Sequence, residues 1–427
     1  MTTSDHIVAD AARTGIAARR AKGRAGKRPR LLVIGPLPPP FIGPAVATRR
    51  LLDSAVLARY FDIDHVNTGD PEGFDDIGRF GWHNVKMALK HGAECLGILM
   101  RRRPDAIYVP IARGLWGFVR DLLFIVPARV LGTRVIVHLR AGRFDLIHDN
   151  GSLGRAIARI GFSLVDRARS CRARVRDVFG SAIDARHVGI VPNGMLLDGW
   201  DSGDWIVQRR REHSQAAGSE TASISAPGAA VRPIRIAYIA NLYHDKGIHV
   251  MLEAMTLLER SEPPITVTFA GDWGNEQYRV DCLATVHEKD LGERVAFIGR
   301  VDEDGKRALL AASDIAVFVP VKPEGLPWVV LEAMAAALPV IGTPQGTIPE
   351  LILDGTSGYL VAVDDARELA GRVAELAADE DRRVAMGRVG RARVEEIYTE
   401  DKTHERLAQE VLACIDRRAG TRGRRSA

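Results

Sequence analysis

Short apolar runs alternate with longer amphipathic stretches along most of the chain. The short runs are rich in β-branched residues and predict strands, whereas the longer stretches repeat apolar positions every three or four residues and predict helices. Up to about residue 199, strands are predicted at 31–35, 61–66, 106–111, 134–138 and 189–191, with helices near 45–58, 82–102, 116–131 and 152–166. Because strands alternate with helices, a parallel sheet covered on both faces is expected.

The alternation stops between residues 200 and 233 and then restarts. The interruption is dominated by Ser, Ala, Gly and Thr, a composition typical of a flexible linker or surface excursion. Further strands are predicted at 234–239, 265–270, 295–298, 314–319, 340–342 and 359–361, and further helices near 247–260, 277–290, 303–312, 328–337, 365–378, 381–397 and 400–418. The pattern predicts an α/β protein with two Rossmann-like, doubly wound parallel-sheet domains, whose ligands bind at the carboxyl ends of the strands in the inter-domain cleft.

A chain of 427 residues is too long for one ordinary core, so its length also favours two domains. The predicted division is a basic, disordered tail over 1–29, a first domain over 30–199, the linker over 200–233, a second domain over 234–398, a C-terminal helix over 399–418 and a basic tail over 419–427. The C-terminal helix is expected to pack back toward the first domain.

The apolar content indicates a globular protein without a membrane span, because no window reaches about 18 uncharged apolar residues. The most apolar stretch, 115–132, contains Arg120, Asp121 and Arg129 and predicts a buried helix. The N-terminus lacks the apolar core of a signal peptide, so a cytoplasmic protein is expected. The four cysteines show neither a C-x-x-C pair nor zinc-ligand spacing, which indicates free, reduced thiols.

The formal net charge of +5 is concentrated at the two ends of the chain. Residues 13–30 contain eight Arg and Lys, and residues 417–425 contain five. Such ends are either solvated tails or segments that bind anionic lipid head groups and attach the protein peripherally to a membrane. They lack interleaved aromatic residues, so nucleic acid is not expected as a partner.

The segment 320–338 combines a Gly/Pro loop with a strongly apolar helix. Pro327 suits the first position of this helix, whose free N–H groups would accommodate a diphosphate. Glu332 lies among apolar neighbours and therefore needs hydrogen-bond partners, which are either ribose hydroxyls or an internal Arg or helix cap. Glu324 belongs to the loop shaped by Gly325 and Pro327, and would approach a ligand from the phosphate side unless it is an exposed loop carboxylate.

Two further turns of the second domain join a strand to a helix. In the turn 240–247, Lys246 is placed where a cation can reach a phosphate and stabilise a leaving group, although a surface lysine is the more common case. The turn 342–350 is Gly-rich, which alone is weak evidence for a ligand site.

In the first domain, the loop 35–45 joins the first strand to the first helix. Its glycines allow a ligand to approach the backbone, and its prolines stiffen it. His138 ends a strand beside Arg140 and Gly142. A single histidine is more often structural than functional, but its position at a strand's carboxyl end favours a functional role.

Taken together, these segments resemble glycosyltransferase family 4, a retaining family with the GT-B fold, from Arg30 to about Tyr398. The most specific element is the E-x7-E pair formed by Glu324 and Glu332. The remaining matches are the D-K-G turn at 245–247, the segments 297–301 and 191–194, and the stretch 345–361.

The resemblance implies a role for each matching residue. Lys246 would bind the donor diphosphate, aided by the backbone around Gly325, Leu326 and Pro327. Glu332 would hold the ribose, and Glu324 the hydroxyls of the transferred sugar. Gly299, Arg300 and Val301 would contact the nucleotide base. His138 would contact the sugar near its reacting carbon, and Gly43 and Pro44 would contact donor phosphate and acceptor.

Two positions depart from the family pattern. Asn241 stands where the family usually has an arginine that shares phosphate binding with the lysine, and Arg300 or Arg140 would have to compensate. Pro44 follows Gly43 where the family usually shows paired glycines, which would alter the geometry of the acceptor.

The implied reaction is retaining transfer of a sugar from a UDP- or GDP-linked donor to an acceptor hydroxyl. The acceptor would be a saccharide or lipid-linked saccharide in polysaccharide or glycolipid assembly at the inner face of the membrane. Neither a cofactor nor a metal is expected, because Lys246 and the helix end would stabilise the diphosphate, and the pair Asp364–Asp365 is predicted to cap a helix. The alternative is a non-catalytic scaffold that binds partners through the same fold.

Overall fold

The computed structural model describes residues 28–39, 43–69, 81–140, 144–170, 188–200 and 232–423, with the single positions Phe179, Ile183 and Trp205. They form two compact units. One unit ends at Gly194 and resumes at Glu400, and the other spans Met195–Thr399. Nearly all of the predicted linker, most of the predicted N-terminal tail, the last four residues of the chain, and Cys171 lie outside the described residues.

The first unit is built on a six-stranded sheet in which every neighbouring pair is parallel. Its strands are β1 (Arg30–Gly35), β2 (Asp62–Asn67), β3 (Ala106–Pro110), β4 (Arg134–Leu139), β5 (Arg167–Ser170) and β6 (Val188–Ile190), in the spatial order β2-β1-β3-β4-β5-β6. The helices are α1 (Gly43–Leu52), α2 (Ala55–Tyr60), α3 (Trp82–Arg102), α4 (Leu115–Val130), α5 (Asp145–Asp149) and α6 (Gly151–Ser163), and the C-terminal α14 (Glu400–Gly423) joins them.

The second unit repeats this architecture with another six-stranded parallel sheet. Its strands are β7 (Ile234–Ile239), β8 (Ile265–Ala270), β9 (Val295–Phe297), β10 (Ile315–Phe318), β11 (Val340–Gly342) and β12 (Gly358–Leu360), in the order β12-β11-β10-β7-β8-β9. Its helices are α7 (Ile248–Leu257), α8 (Glu276–Glu288), α9 (Glu303–Ala312), α10 (Trp328–Ala335), α11 (Ile348–Leu351), α12 (Ala366–Ala378) and α13 (Glu380–Ile397). The predicted fold class, with two doubly wound parallel sheets, is confirmed.

Strand β5 is absent from the sequence prediction because its four residues, Arg-Ala-Arg-Ser, do not form an apolar run. Its central Arg169 is nevertheless fully buried and forms an ion pair with Glu410 of α14. Burial lowers the pKa of the Arg169 guanidinium, and the neighbouring Glu410 partly restores it. A charged residue inside a sheet is tolerated here because a helix distant in sequence supplies the opposite charge.

Three predicted helices differ from the structure in informative ways. The predicted helix 45–58 is two helices, because α1 ends at Leu52 and Ser54 caps α2 by accepting from the Leu57 N–H at 3.2 Å. The predicted C-terminal helix continues beyond residue 418 to Gly423. The stretch 115–132 forms α4 but is not buried on all sides, since Val130 is 79% exposed.

Helix α14 completes one face of the first sheet. Leu407, Ala408, Val411 and Cys414 are buried against apolar side chains from β1, β3 and β4. Tyr60 of α2 also donates a hydrogen bond of 2.6 Å to Glu405. The last helix is therefore part of the core of the first unit.

Among the described residues, none of the helices combines the length and apolarity needed to span a bilayer. Cys95, Cys282 and Cys414 are buried free thiols, and burial raises their pKa to about 12, 11 and 11 respectively. As predicted, an aspartate caps α12, because the Asp365 side chain accepts from the Glu368 N–H at 2.8 Å.

The buried His404 of α14 makes the first unit sensitive to acid. Burial, followed by the positive charges of Arg140 and Arg50, lowers the pKa of His404 to about 4. In the unfolded chain the pKa of a histidine is about 6.5, so below that pH only the unfolded state binds this proton. We expect the free energy of unfolding to fall as the pH drops from 6.5 toward 4, by roughly 2 kcal/mol from this group between pH 7 and pH 5.

Denaturant unfolding of wild type and His404→Gln at pH 7 and pH 5 measures this effect. The variant should lose less stability on acidification, because glutamine does not titrate. His83→Gln at an exposed position is the matched control and should behave as wild type. Equal pH dependence in wild type and His404→Gln would contradict the assignment.

Candidate functional site

The carboxyl ends of β7 and β10 bring the predicted lysine and the first predicted glutamate together. Lys246 ends a short 3₁₀ turn, His244–Lys246, between β7 and α7. Glu324 lies in the loop that follows β10 and precedes α10. The Lys246 ammonium and the Glu324 carboxylate form an ion pair, although 78 residues separate them in sequence. Both side chains are about one-fifth exposed, so each remains accessible to a ligand.

The position of Lys246 is fixed by backbone contacts between its turn and the end of β10. Gly247 has φ 78°, and a Cβ atom there would lie 2.1 Å from the carbonyl oxygen of Val319. Only glycine combines this conformation with so close an approach. The Val321 N–H donates to the Asp245 carbonyl at 3.0 Å, and the Tyr238 hydroxyl donates to the Lys246 carbonyl.

The loop that contains Glu324 is supported by the turn 342–350. Gly346 has φ 61°, and a Cβ atom there would lie 1.8 Å from the Glu324 carbonyl oxygen. The Thr347 hydroxyl donates to the Gly325 carbonyl, and Thr343 donates to Pro320 at 2.6 Å. This turn, which alone was weak evidence for a site, therefore positions the Glu324 backbone.

Side chains that the sequence did not single out pack around the lysine turn. The rings of His244 and His249 stack with centroids 4.3 Å apart. His249 also contacts the Tyr278 hydroxyl at 3.0 Å and Asp364 at 3.2 Å. Burial, then the nearby His244, lowers the pKa of His249, whereas Asp364 opposes that shift. The cluster stiffens the turn that presents Lys246.

Glu332 lies in α10 and has an internal partner. Its carboxylate is within 2.6 Å of the Lys306 ammonium of α9, which is also 2.9 Å from Glu303. Burial lowers the pKa of Lys306, but the two carboxylates more than offset this, so its pKa is raised. The sequence left ribose hydroxyls or an internal Arg or helix cap as partners of Glu332. The structure shows an internal partner, Lys306, which is a lysine.

The other predicted donor residues lie at the same carboxyl edge of the second sheet. Helix α10 begins at Trp328, so Pro327 is its N-cap and not its first helical residue. Asn241 follows β7, and Arg300 follows β9; both are exposed. Because only β8 separates those strands, the strands that precede the two residues are about 10 Å apart, two strand spacings.

Gly299 and Val301 flank Arg300 in the same loop. The Gly299 carbonyl accepts from the Gly271 N–H at 2.8 Å, which ties this loop to the end of β8. The roles implied for all these donor residues, including Gly325 and Leu326, stay predictions.

The first unit contains the remaining predicted residues. Gly43 and Pro44 are exposed at the start of α1, and the loop residues 40–42 lie outside the described residues. His138 ends β4 and is only 1% exposed. The described residues enclose the ring, and the contact between His138 and a sugar stays a prediction.

Burial and nearby charges determine the protonation of His138. Tyr108 lies 2.6 Å from the Nδ1 of His138 and accepts a hydrogen bond of 3.1 Å from Arg140. Burial, then the charges of Arg140 and Arg169, lowers the pKa of His138 well below its ordinary value. The imidazole is therefore neutral at pH 7.

The described residues contain no group of three or more His, Cys, Asp or Glu side chains arranged to hold a metal ion. The chemical features that are present are a cation beside a carboxylate, the first turn of α10, and a second, more deeply buried ion pair. Such an arrangement can bind an anionic group and accept hydrogen bonds from hydroxyl groups at one sheet edge.

Comparison with known proteins supports a glycosyltransferase with the GT-B fold. Residues 220–393 match the family model described as "Glycosyl transferases group 1". A glycogen synthase of Mycobacterium tuberculosis is 26% identical over 251 residues, which are 59% of this chain and 54% of that protein. A "GDP-mannose-dependent monoacylated alpha-(1-6)-phosphatidylinositol monomannoside mannosyltransferase" of Corynebacterium glutamicum is 33% identical over 179 residues, 40% of this chain and 45% of that protein. The chain thus spans about half the length of these curated relatives.

The fold is also that of solved structures. The Anabaena protein HepE, crystallised with UDP and glucose, superposes with a TM-score of 0.64 over 90% of this chain and 99% of its own. The sequence identity is 16%, so this likeness establishes the fold.

The Lys306–Glu332 pair yields a stability prediction. In Lys306→Met, the buried Glu332 loses the positive charge that balances it, and we expect the free energy of unfolding to fall by roughly 3 kcal/mol. Denaturant unfolding measures this loss. Lys289→Met removes an exposed lysine from the same unit and should change stability little. Equal stability of Lys306→Met and the control would show that the pair does not contribute to folding.

Proposed function

We propose that this chain is a retaining glycosyltransferase that moves a sugar from a UDP- or GDP-linked donor to an acceptor hydroxyl. The observation that carries the proposal is the contact between Lys246 and Glu324 at the carboxyl edge of the second sheet. A cation and a carboxylate placed together before a helix N-terminus match the two halves of a nucleotide sugar, which are an anionic diphosphate and a polyhydroxyl ring.

The donor would exchange the partners of this ion pair. The diphosphate would take the place of Glu324 beside Lys246, and Glu324 would then accept hydrogen bonds from sugar hydroxyls. Gly325, Leu326 and Pro327 would present backbone to the phosphates.

The reaction would proceed on one face of the sugar. As the bond between the anomeric carbon and the phosphate oxygen breaks, the acceptor oxygen bonds to that carbon from the same side. The acceptor's proton passes to the departing phosphate oxygen, so the configuration is retained and the charges balance. Lys246 and the first turn of α10 would stabilise the negative charge of the diphosphate as it leaves.

The remaining donor contacts would be made at the same carboxyl edge of the second sheet. Gly299, Arg300 and Val301 would contact the nucleotide base, and Glu332 would bind the ribose while keeping Lys306 as its counter-ion. Arg300 and Asn241 follow strands that are two positions apart in the sheet, and Arg300 would supply part of the positive charge that Asn241 lacks.

In the first unit, His138 would contact the transferred sugar near its reacting carbon, and Gly43 and Pro44 would contact donor phosphate and acceptor. His138 is a neutral imidazole, so it would act through hydrogen bonding and not as a cation.

The acceptor would be a growing saccharide or a lipid-linked saccharide. The two curated relatives described above are named for glycogen and for a phosphatidylinositol mannoside, which supports polysaccharide or glycolipid assembly. A cytoplasmic location, at the inner face of the membrane, suits both classes of acceptor and is part of the proposal.

Two substitutions test the donor site. Lys246→Ala and Glu324→Ala should each lower turnover by about 10²–10³, because each removes a group that acts on the leaving group or the sugar. In calorimetry, Lys246→Ala should also weaken binding of free UDP or GDP, whereas Glu324→Ala should preserve it. Lys289→Ala is the matched surface control and should retain full activity.

The same measurements distinguish the enzyme from a scaffold. A non-catalytic scaffold would bind no UDP- or GDP-sugar saturably and would release no nucleotide in the presence of acceptors. Full turnover in Lys246→Ala or Glu324→Ala would refute the role given to that residue.

The proposed leaving-group stabilisation needs no metal ion. We therefore expect turnover to be unchanged by EDTA, measured as nucleotide release from the donor. Loss of activity on chelation, restored by Mg²⁺ or Mn²⁺, would contradict this part of the proposal.

A further inference from the structure

Three helices lie side by side on one face of the first sheet. The inner sides of α3, α4 and α6 share a core with the strands, through Leu99, Phe124 and Phe162 among others. Close contacts hold the helices together. Gly92 of α3 faces Leu123 of α4, and Gly161 of α6 would place a Cβ atom 2.6 Å from the ring of Phe118 in α4. The three helices therefore form one continuous layer.

The outer side of this layer is apolar. We call it the helix-layer surface, and its exposed apolar residues are Trp82, Leu89, Leu96, Met100, Trp116, Val119, Val126, Val130, Leu153 and Ile160. Val130 is 79% exposed and Leu89 is 59% exposed, so these are not partly hidden core residues. Scattered apolar residues are ordinary on a protein surface, but a contiguous set on adjacent helices marks an interaction site.

Helical spacing shows that these residues form stripes. In α4, Trp116, Val119, Val126 and Val130 recur at intervals of three, seven and four residues and share one face. No charged residue falls on that stripe. In α3, Trp82, Leu89, Leu96 and Met100 form a second stripe. A solvent-facing stripe of this kind costs free energy in water, because apolar area stays hydrated.

Basic residues accompany the stripes. Helices α3, α4 and α6 contain the cations Lys86, Lys90, Arg101, Arg102, Arg120, Arg129, Arg155 and Arg159. Against them stand two carboxylates of the same helices, Glu94 and the buried Asp121, and also Asp166, which follows α6. Asp121 pairs with Arg120, and Asp166 pairs with Arg129. The layer is therefore strongly positive at neutral pH.

Two tryptophans lie at one end of the layer. In a parallel sheet the connecting helices run antiparallel to the strands, so α3 and α4 begin at the same edge. Trp82 is the first residue of α3 and Trp116 the second of α4, and they are 82% and 52% exposed. Tryptophan prefers the boundary between hydrocarbon and head groups, where its ring is apolar and its N–H meets polar groups.

From these observations we propose that the helix-layer surface docks on a lipid bilayer that contains anionic head groups. The apolar stripes would enter the boundary between head groups and acyl chains, and the flanking Lys and Arg would contact lipid phosphates. Long basic side chains can extend past an apolar stripe to reach the head groups. The six arginines and two lysines of these helices complement the charge of lipid phosphates, and this charge complementarity is the reason for assigning the surface to an anionic bilayer.

The helix-layer surface and the basic ends of the chain predict different salt dependences of membrane binding. Basic tails alone bind a charged membrane electrostatically, and salt abolishes such binding. A surface with apolar stripes keeps part of its affinity at high salt, because burial of apolar area is not screened. The proposal deepens the membrane location included in the proposed function by naming the surface that makes the contact. Vesicle binding is measured without donor or acceptor, so its failure is distinguishable from a failure of sugar transfer.

The test is co-sedimentation of the full chain with vesicles of phosphatidylglycerol and phosphatidylcholine at 0.1 M and 0.5 M NaCl. Wild type should pellet at both salt concentrations, and less with pure phosphatidylcholine. The triple variant Leu89→Glu/Val130→Glu/Ile160→Glu should bind at least about tenfold more weakly, since it places three negative charges against an anionic surface. Vesicles with brominated acyl chains should quench tryptophan fluorescence in wild type and not in this variant.

The matched control carries the same charge change in the second unit. Leu257→Glu/Val280→Glu/Leu283→Glu replaces three exposed apolar residues on α7 and α8 and should bind vesicles as wild type does. Circular dichroism and thermal melting check that both triple variants are folded. Should the first be unfolded, Lys86→Glu/Lys90→Glu replaces it, with the same expected loss of binding.

Three results would overturn the proposal. The first is failure of wild type to pellet with anionic vesicles. The second is a helix-layer variant that pellets as strongly as wild type, because that result would assign the binding to the basic tails. The third is a lipid-free wild type that sediments as a dimer while the variant sediments as a monomer, which would show that a second copy covers the surface.

Discussion

The candidate donor site depends on two places where backbone meets backbone without room for a side chain. At Gly247 the lysine turn touches the end of β10, and at Gly346 the turn after β11 touches the Glu324 loop. Each contact needs a positive φ and the absence of Cβ, which glycine alone supplies without strain. Three turns that are far apart in sequence are thereby fixed on one sheet edge, and Lys246 meets Glu324 as a result.

The sequence predicted the elements better than it predicted their partners. Period-two and period-3.6 patterns revealed every strand except β5, whose Arg-Ala-Arg-Ser sequence carries no apolar signal. That strand could not have been recognised locally, because what allows Arg169 to be buried is Glu410, 241 residues away. Similarly, the extent of α4 was predicted, but not which of its sides faces water.

The same division applies to the candidate site. Motif spacing identified Lys246, Glu324 and Glu332, and strand order then explained why the first two meet. Motif spacing could not identify Lys306, because a lysine in an amphipathic helix resembles any surface lysine until the fold places it beside a buried carboxylate. Nor could it show that the Tyr108 hydroxyl lies against the Nδ1 of the buried His138.

The return of α14 to the first unit has a consequence for the order of events during synthesis. Strands β1 to β6 emerge from the ribosome early, but the core on one face of their sheet stays incomplete until Leu407, Val411 and Cys414 have been made. All of Met195–Thr399 is translated in between. The second unit can therefore reach its native state while the first is still incomplete, which reverses the usual N-terminal-first sequence of folding in multidomain chains. During that interval, the nascent chain carries a partly exposed apolar sheet face and the unneutralised Arg169, and both are features that chaperones bind or that promote aggregation.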